Sequence, residues 1–465
     1  MHLMGIDIGT TSVKSGVFDE TLEQKLSFVA DYTLDSHGDI VEFDGEEYWT
    51  IVKGEIEKAC RDLKIDALAV DTQCETLILT DDFGNPVRQA IVWLDNRATK
   101  EAEEIEAHFG RQKVYEITGQ PEITATWPAC KLLWVKKNEP EIWAKTKKVF
   151  LLEDWILYKL TGRFVTEKTL QSSTIYFDIR QGAWWQEMLD FIGVGEDMLP
   201  ELLDSGVRVG NYRGIEVVTG AMDQISGAIG AGVLQKGIVS EMTGTTMVIF
   251  SPCDDIPAFD EKSIIPCHYN YDGKYCLLTW SATAGMALKW FKNALCENFS
   301  FAELDELAGK ISIGCDGLTF LPYLCGSTMP KYNPSARGSF TGLTPEHTRG
   351  HFVRSIMEAI SCTLKENLDY LNLPVTEIRA MGGGANSPLW CQMKADMTGK
   401  TLVTLKNKET ACLGGAILAG VGIGIFPSVE SVADRILAKD VYTPKGADYT
   451  AAYENYRKAD RILNV

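Results

Sequence analysis

Residues 3–18, Leu3-Met4-Gly5-Ile6-Asp7-Ile8-Gly9-Thr10-Thr11-Ser12-Val13-Lys14-Ser15-Gly16-Val17-Phe18, decide the fold class. Two β-rich arms flank Gly9-Thr10-Thr11, a trio that turns easily, so the stretch reads strand–turn–strand. The same plan returns at 240–250, where Ser240-Glu241-Met242-Thr243 and Met247-Val248-Ile249-Phe250 flank Gly244-Thr245-Thr246. A hairpin repeated with the same tip points to a duplicated α/β unit. The chain has 465 residues, too many for one hydrophobic core. Two domains are therefore expected, over 1–225 and 226–465, facing each other across a cleft that would hold a ligand.

Outward from the first hairpin, a third strand is expected near 26–33. A helix over 43–63 follows, with Trp49, Ile51, Val52, Ile56 and Cys60 at helical spacing. Short strands over 67–71, 76–80 and 90–93 bracket the turn-forming Asp82–Pro86 segment. Helices are expected near 97–109, 128–138, 153–160 and 183–191. A strand at 216–219 leads into Gly220-Ala221-Met222-Asp223-Gln224 and a Gly/Ala-rich helix to about 231. Strand 377–381 feeds Gly382-Gly383-Gly384, and long helices cover 348–371 and 449–463. The last is a candidate to pack back on the N-terminal domain.

Composition narrows the function. A net charge of −19 argues against nucleic acid or an anionic membrane as the main partner. No apolar run approaches a membrane span, and the N-terminus lacks a signal-peptide pattern. The 12 cysteines form no CxxC pair, which fits small buried hydrophobes in a reducing, cytoplasmic setting. Gly399-Lys400-Thr401 imitates the end of a P-loop, but Lys394 stands where its first glycine belongs. His347 and His351 lack the glutamate of a zinc HExxH helix.

What is left is phosphate chemistry. A Gly-Thr turn offers backbone N–H groups and hydroxyls, and two such turns could grip a nucleotide's phosphates. Asp7, two residues before the first turn, suits Mg²⁺ held partly through water. Lys14 on the return strand would offset phosphate charge. Asp223 opens a helix, a place that suits a cap as well as a base.

Longer motifs carry a resemblance. Gly338-Ser-Phe-Thr-Gly342-Leu-Thr-Pro-Glu-His-Thr-Arg-Gly-His351-Phe-Val-Arg-Ser355-Ile-Met-Glu358 resembles a signature of the FGGY carbohydrate kinases throughout. Pro128-Ala-Cys-Lys131-Leu-Leu-Trp134-Val-Lys-Lys-Asn138 resembles the family's other signature, with Thr126 departing at its first position. The resemblance implies two actin-like, ribonuclease-H-like domains with ATP and Mg²⁺ in the interdomain cleft. It implies that Asp223 is the catalytic base and that Gln224 binds the sugar. Thr10, Thr11 and Lys14 match the first phosphate motif, and Gly244 and Thr245 the second. Gly285 and Lys289 align with positions flanking the nucleotide, while Gly383, Gly384 and Ser387 would line the adenosine pocket.

The sugar is expected to meet Gln73, Cys74, Glu75 and Trp93. Position 75 is histidine in the xylulokinase branch; here Gln73-Cys74-Glu75-Thr76 is closer to the glycerol kinase pattern, with Cys74 replacing its arginine. Ser327-Thr328-Met329 departs from the xylulokinase pattern as well. Glu75 alternatively faces solvent or pairs with Arg97, and Trp93 alternatively fills the core. Asp95 and Arg97 read as a polar wall or a surface pair. The expected activity is ATP-dependent phosphorylation of a ketopentose such as D-xylulose. The alternatives are a polyol kinase and, in a different class, an actin-like ATPase switch or a non-catalytic sugar sensor. The expected partner is a small sugar or polyol, with a homodimer as the candidate assembly.

Overall fold

A computed structural model describes residues 1–463; the final two of the expected 226–465 domain lie outside the described residues. The chain forms two compact units. The first comprises Met1–Leu234, Cys253–Cys276 and Glu409–Ile436; the second comprises Gln235–Pro252, Leu277–Lys408 and Leu437–Val465.

The first unit is built on a six-stranded sheet. Strands His2–Ile8, Ser12–Asp19 and Gln24–Asp31 form an antiparallel meander. Ala67–Thr72 pairs parallel to His2–Ile8 on its other side, and Ile215–Met222 pairs parallel to Ala67–Thr72. Ala67–Thr72 is buried at every position, as a strand covered on both faces must be. One cover is helix Gly45–Asp62, whose start is capped by Asp44 accepting the Glu46 N–H at 2.8 Å. Its buried stripe, Tyr48, Val52, Ile56 and Ala59, joins the core with Ile6, Ile8 and Val70. The other cover is helix Thr410–Gly422, apolar on all sides and buried from Cys412 to Gly420. It lies so close to the first strand that a Cβ at Gly5 would collide with the Cys412 carbonyl. Only glycine admits that approach.

The second unit repeats the plan. Ile238–Thr243 and Met247–Cys253 form its antiparallel hairpin, with Thr243 opposite Met247 across Gly244-Thr245-Thr246. Glu377–Met381 pairs parallel to the first of these strands, and Thr401–Leu405 parallel to Glu377–Met381. Helix Arg349–Leu371, at the heart of the long signature, is buried along most of its length.

Several expectations change. The strand at 90–93 stops at Ile91, because Asp95 N–H bonds back to Val92 O and closes a turn. The helix near 183–191 begins later, as Gln186–Ile192, after Ala183–Trp184 pairs with Phe177–Asp178. Helices Arg111–Thr118, Gly285–Leu295, Phe301–Gly309, Pro388–Thr398 and Thr410–Gly422 were not anticipated. Among the described residues, no helix is long and apolar enough to cross a membrane. All twelve cysteines are free thiols; Cys60 and Cys325 are exposed, Cys74 is half-buried, and the other nine are buried.

Candidate active site

In the first unit, the functional candidates collect at the C-terminal ends of its parallel strands, where open α/β sheets bind ligands. Parallel register sets Asp7 opposite Asp71 and Ile8 opposite Thr72. The next strand sets Met222 opposite Thr72, so Asp223 emerges beside them as the first residue of helix Asp223–Gly230. Met222, not Asp223, is the cap of that helix. The Asp223 Oδ1 accepts the Gln224 N–H at 2.7 Å, and among the described residues Oδ2 accepts none.

Burial and mutual charge govern these acids. Burial, then the charge of Asp7, pushes the Asp223 carboxyl up to about 8. Burial also raises Asp7, with the Lys14 ammonium opposing it. Asp71 is fully buried, and among the described residues neither of its oxygens has a partner within hydrogen-bond distance. Burial and the charges of Asp7 and Asp223 push it well above the usual carboxylate range. The sequence reading passed over Asp71 as a strand residue; its signal was a lone acid ending the apolar run Ala67-Leu68-Ala69-Val70.

The first hairpin tip joins this cluster. Gln73 N–H donates to Ile8 O at 2.9 Å, and Trp93 Nε1 donates to Thr10 Oγ1 at 3.0 Å. Thr11 is exposed at the tip, and its carbonyl accepts the Tyr32 N–H at 3.0 Å. Lys14 forms an ion pair with Glu409 at 3.0 Å, so its charge is partly committed. Gln73 is buried and donates to Tyr48 Oη at 3.1 Å. Cys74 Sγ stands 3.9 Å from Gln224 Oε1.

Glu75 sits in a turn with φ of 65°, a left-handed conformation that a non-glycine residue adopts only where its surroundings hold it. Burial pushes its carboxyl up to about 8, against the pull of Lys131. It does not pair with Arg97, which binds Asp95 and Glu42 instead. Asp95 is fully buried and accepts the Val41 N–H at 2.7 Å, so this pair is a structural brace, not a surface pair.

The second unit gathers the other candidates around its hairpin tip. The Thr245 carbonyl accepts the N–H groups of Ala284 at 3.0 Å and Met286 at 3.3 Å, joining the tip to the start of helix Gly285–Leu295. A Cβ at Gly285 would strike the Gly244 carbonyl oxygen. One at Gly384 would fall 2.7 Å from Thr243 Cβ, so the glycine loop also abuts the hairpin. Gly383 is exposed, and a Cβ there would lie 4.0 Å from Thr243 O. Lys289 is exposed one turn along the helix. Ser387 is nearly buried and caps the next helix, accepting the Trp390 N–H at 3.1 Å. Beneath the tip, Lys394 pairs with Glu241 at 2.9 Å and donates to Thr243 Oγ1 at 2.7 Å. Sequence reading missed that buried clamp, which joins residues far apart in the chain.

Comparison with known proteins bears on this arrangement. The N-terminal domain model of the FGGY family of carbohydrate kinases matches residues 2–234, and its C-terminal domain model matches residues 260–423. The xylulose kinase of Staphylococcus epidermidis is 30% identical, over 98% of this chain and 94% of its own. The gluconokinase of Bacillus subtilis is 29% identical, over 95% of this chain and 92% of its own. The crystal structure of ligand-bound xylulose kinase from Lactobacillus acidophilus shares the fold, with a TM-score of 0.91, 24% identity, and coverage of 99% of this chain and 98% of that one. The fold is thus mixed α/β with two actin-like ATPase domains. The chain belongs to the FGGY family of carbohydrate kinases, enzymes that use ATP to phosphorylate small sugars.

Proposed function

We propose that this kinase transfers the γ-phosphate of ATP to a hydroxyl of a neutral ketose, with a ketopentose such as D-xylulose fitting best. The observation that carries the reading is the place of Asp223 at the ends of the parallel strands beside Asp7 and Asp71, where burial and the charge of Asp7 push its carboxyl up to about 8. A base with a pKa near the working pH suits proton abstraction. The sugar hydroxyl gives its proton to Asp223 as its oxygen attacks the γ-phosphorus. The bond from that phosphorus to the bridging oxygen breaks, and ADP leaves. Gln73, Cys74, Glu75, Trp93 and Gln224 orient the sugar. Thr10, Thr11 and Lys14, together with Gly244 and Thr245, hold the phosphates. Gly285, Lys289, Gly383, Gly384 and Ser387 hold the rest of the nucleotide.

Mg²⁺ belongs to the same proposal. The carboxylates of Asp7 and Asp71, set opposite each other and the latter without a donor among the described residues, suit a hard cation. Among the described residues, no three acidic, histidine or cysteine side chains converge into a metal cage. Phosphate and water would therefore complete the shell, as Mg²⁺ prefers. Held by those carboxylates, Mg²⁺ would neutralise charge on the phosphates.

Charge also bears on substrate. Asp7 and Glu75 act by their charge on Asp223, and Asp7 and Asp223 on Asp71, so the proposed base sits in an acidic cluster. Of the neighbouring cations, Arg97 is engaged by Asp95 and Glu42 and Lys131 by backbone carbonyls, while Lys14, paired with Glu409, is assigned to phosphate. A sugar acid of the gluconate type finds no unengaged counter-ion among them. A polyol is the second reading, because a glutamate at 75 accepts hydrogen bonds from two adjacent hydroxyls. A cytoplasmic location fits the free thiols. A homodimer, the candidate assembly, is checked by light scattering in solution.

ADP release across ketoses, polyols and sugar acids tests the reading. Xylulose should give the highest kcat/KM and gluconate the lowest; the reverse order would reject it. Asp223→Ala should lower kcat by about a thousandfold or more while ATP affinity stays within a few fold. Wild-type turnover in that variant would remove Asp223 as the base.

A further inference from the structure

Lys131 is a fully buried ammonium on helix Pro128–Asn138. Among the described residues it forms no ion pair. Its Nζ donates instead to two main-chain carbonyls, Glu75 O at 3.1 Å and Val92 O at 3.0 Å. These carbonyls belong to the two turns that carry candidate sugar contacts. The first turn holds Glu75 at its positive φ. In the second, Val92 O also accepts the Asp95 N–H at 3.0 Å, and the next residue, Trp93, reaches Thr10 Oγ1.

A buried charge without a counter-ion in contact is costly, and a neutral donor would satisfy two carbonyls as well. What a neutral donor lacks is the field. Burial pulls the Lys131 ammonium down to about 8, and the charge of Glu75, followed by Asp95, opposes that fall.

We propose that Lys131 is a positioning residue for the sugar: one ammonium, lying in the field of Glu75, pins the Glu75 and Trp93 turns to one point. The proposal rests on reading Glu75 as a ligand of the sugar. Lys131 touches no substrate; it acts through the geometry of residues that do.

Steady-state kinetics on the full chain test this with the best sugar from the ADP-release panel. Lys131→Met should raise the sugar KM by about tenfold or more and leave the ATP KM within about threefold, measured well below the variant's melting temperature. A purely structural role would move both constants, or the melting temperature alone. In a Glu75→Gln background, the same change should add less than about twofold to the sugar KM, because the two residues act as one device. If Lys131→Met does not fold, Lys131→Gln replaces it, with the same kinetic expectations. A parallel rise in both KM values, or additive effects in the Glu75→Gln background, overturns the proposal. Glu75→Gln alone separates the two readings. If it leaves the sugar KM unchanged, Glu75 is no sugar ligand; if it raises the KM and Lys131 is additive, only the present proposal falls.

Discussion

At position 285 the limit on the side chain is steric and local. An added methyl would meet the Gly244 carbonyl oxygen, with Gly244 C at 3.4 Å and Thr243 Cγ2 at 3.7 Å behind it. Gly244 O belongs to the backbone of a hairpin tip and cannot swing aside as a side chain would. Gly285→Ala must therefore displace either the tip or the start of its helix, and overpacking of this kind costs about 1–3 kcal/mol. If the tip grips phosphate, the ATP KM should rise about tenfold or more while the sugar KM holds. Steady-state kinetics with each substrate varied in turn would read this, and an unchanged ATP KM would remove the tip from the nucleotide site. The sequence carried this much legibly, since Gly-Thr-Thr between β-rich arms is a local pattern. It did not carry Asp71 as a site residue: its opposition to Asp7 comes from pairing between strands about sixty positions apart.

At the scale of elements, three buried carboxylates crowd the junction of helices Leu152–Thr161 and Lys168–Gln171. Glu167 caps the second helix, accepting the Thr169 N–H at 2.7 Å and the Leu170 N–H at 2.5 Å. Asp154 accepts the Leu151 N–H at 2.9 Å, and Glu153 accepts the Gly220 N–H at 3.0 Å through one oxygen only. Burial raises all three, Asp154 to about 8 and Glu167 to about 7. The folded protein thus holds more protons than the unfolded chain between roughly pH 4 and pH 8, and its stability falls as pH rises through that window. Glu153→Gln keeps an acceptor for Gly220 and turns the unpaired oxygen into a donor toward its acidic neighbours. It should stabilise the protein by about 1 kcal/mol at pH 8, with the gain shrinking at pH 5 where the acids are protonated. Thermal melts at both pH values would read this; a variant less stable at both would contradict it. None of this cluster was legible, because it joins two helix starts and a strand that only tertiary folding brings together.

At the scale of the molecule, the chain passes between its two units more than once, and this decides what folds alone. Residues Glu409–Ile436 belong to the first unit although most of the second precedes them. Their helix, Thr410–Gly422, is apolar all round, so its period names no exposed face and its pattern does not say which unit it joins. Its packing is intimate. A Cβ at Gly230 would collide with Thr410 O, and one at Gly414 with Ser226 O. Removing the helix would uncover strands His2–Ile8, Ala67–Thr72 and Ile215–Met222 together with helix Asp223–Gly230, all of which it touches. The fragment Met1–Leu234 looks like a domain by sequence order, yet it lacks one cover of its own sheet. Expressed alone, it should aggregate, or bind a hydrophobic dye without a cooperative melt, because that apolar face has no partner. Joining residues 409–436 to it through a flexible linker should recover soluble protein and a cooperative transition. A soluble, cooperatively melting Met1–Leu234 would mean that the returning helix is dispensable to the fold of the unit that carries Asp7, Asp71 and Asp223.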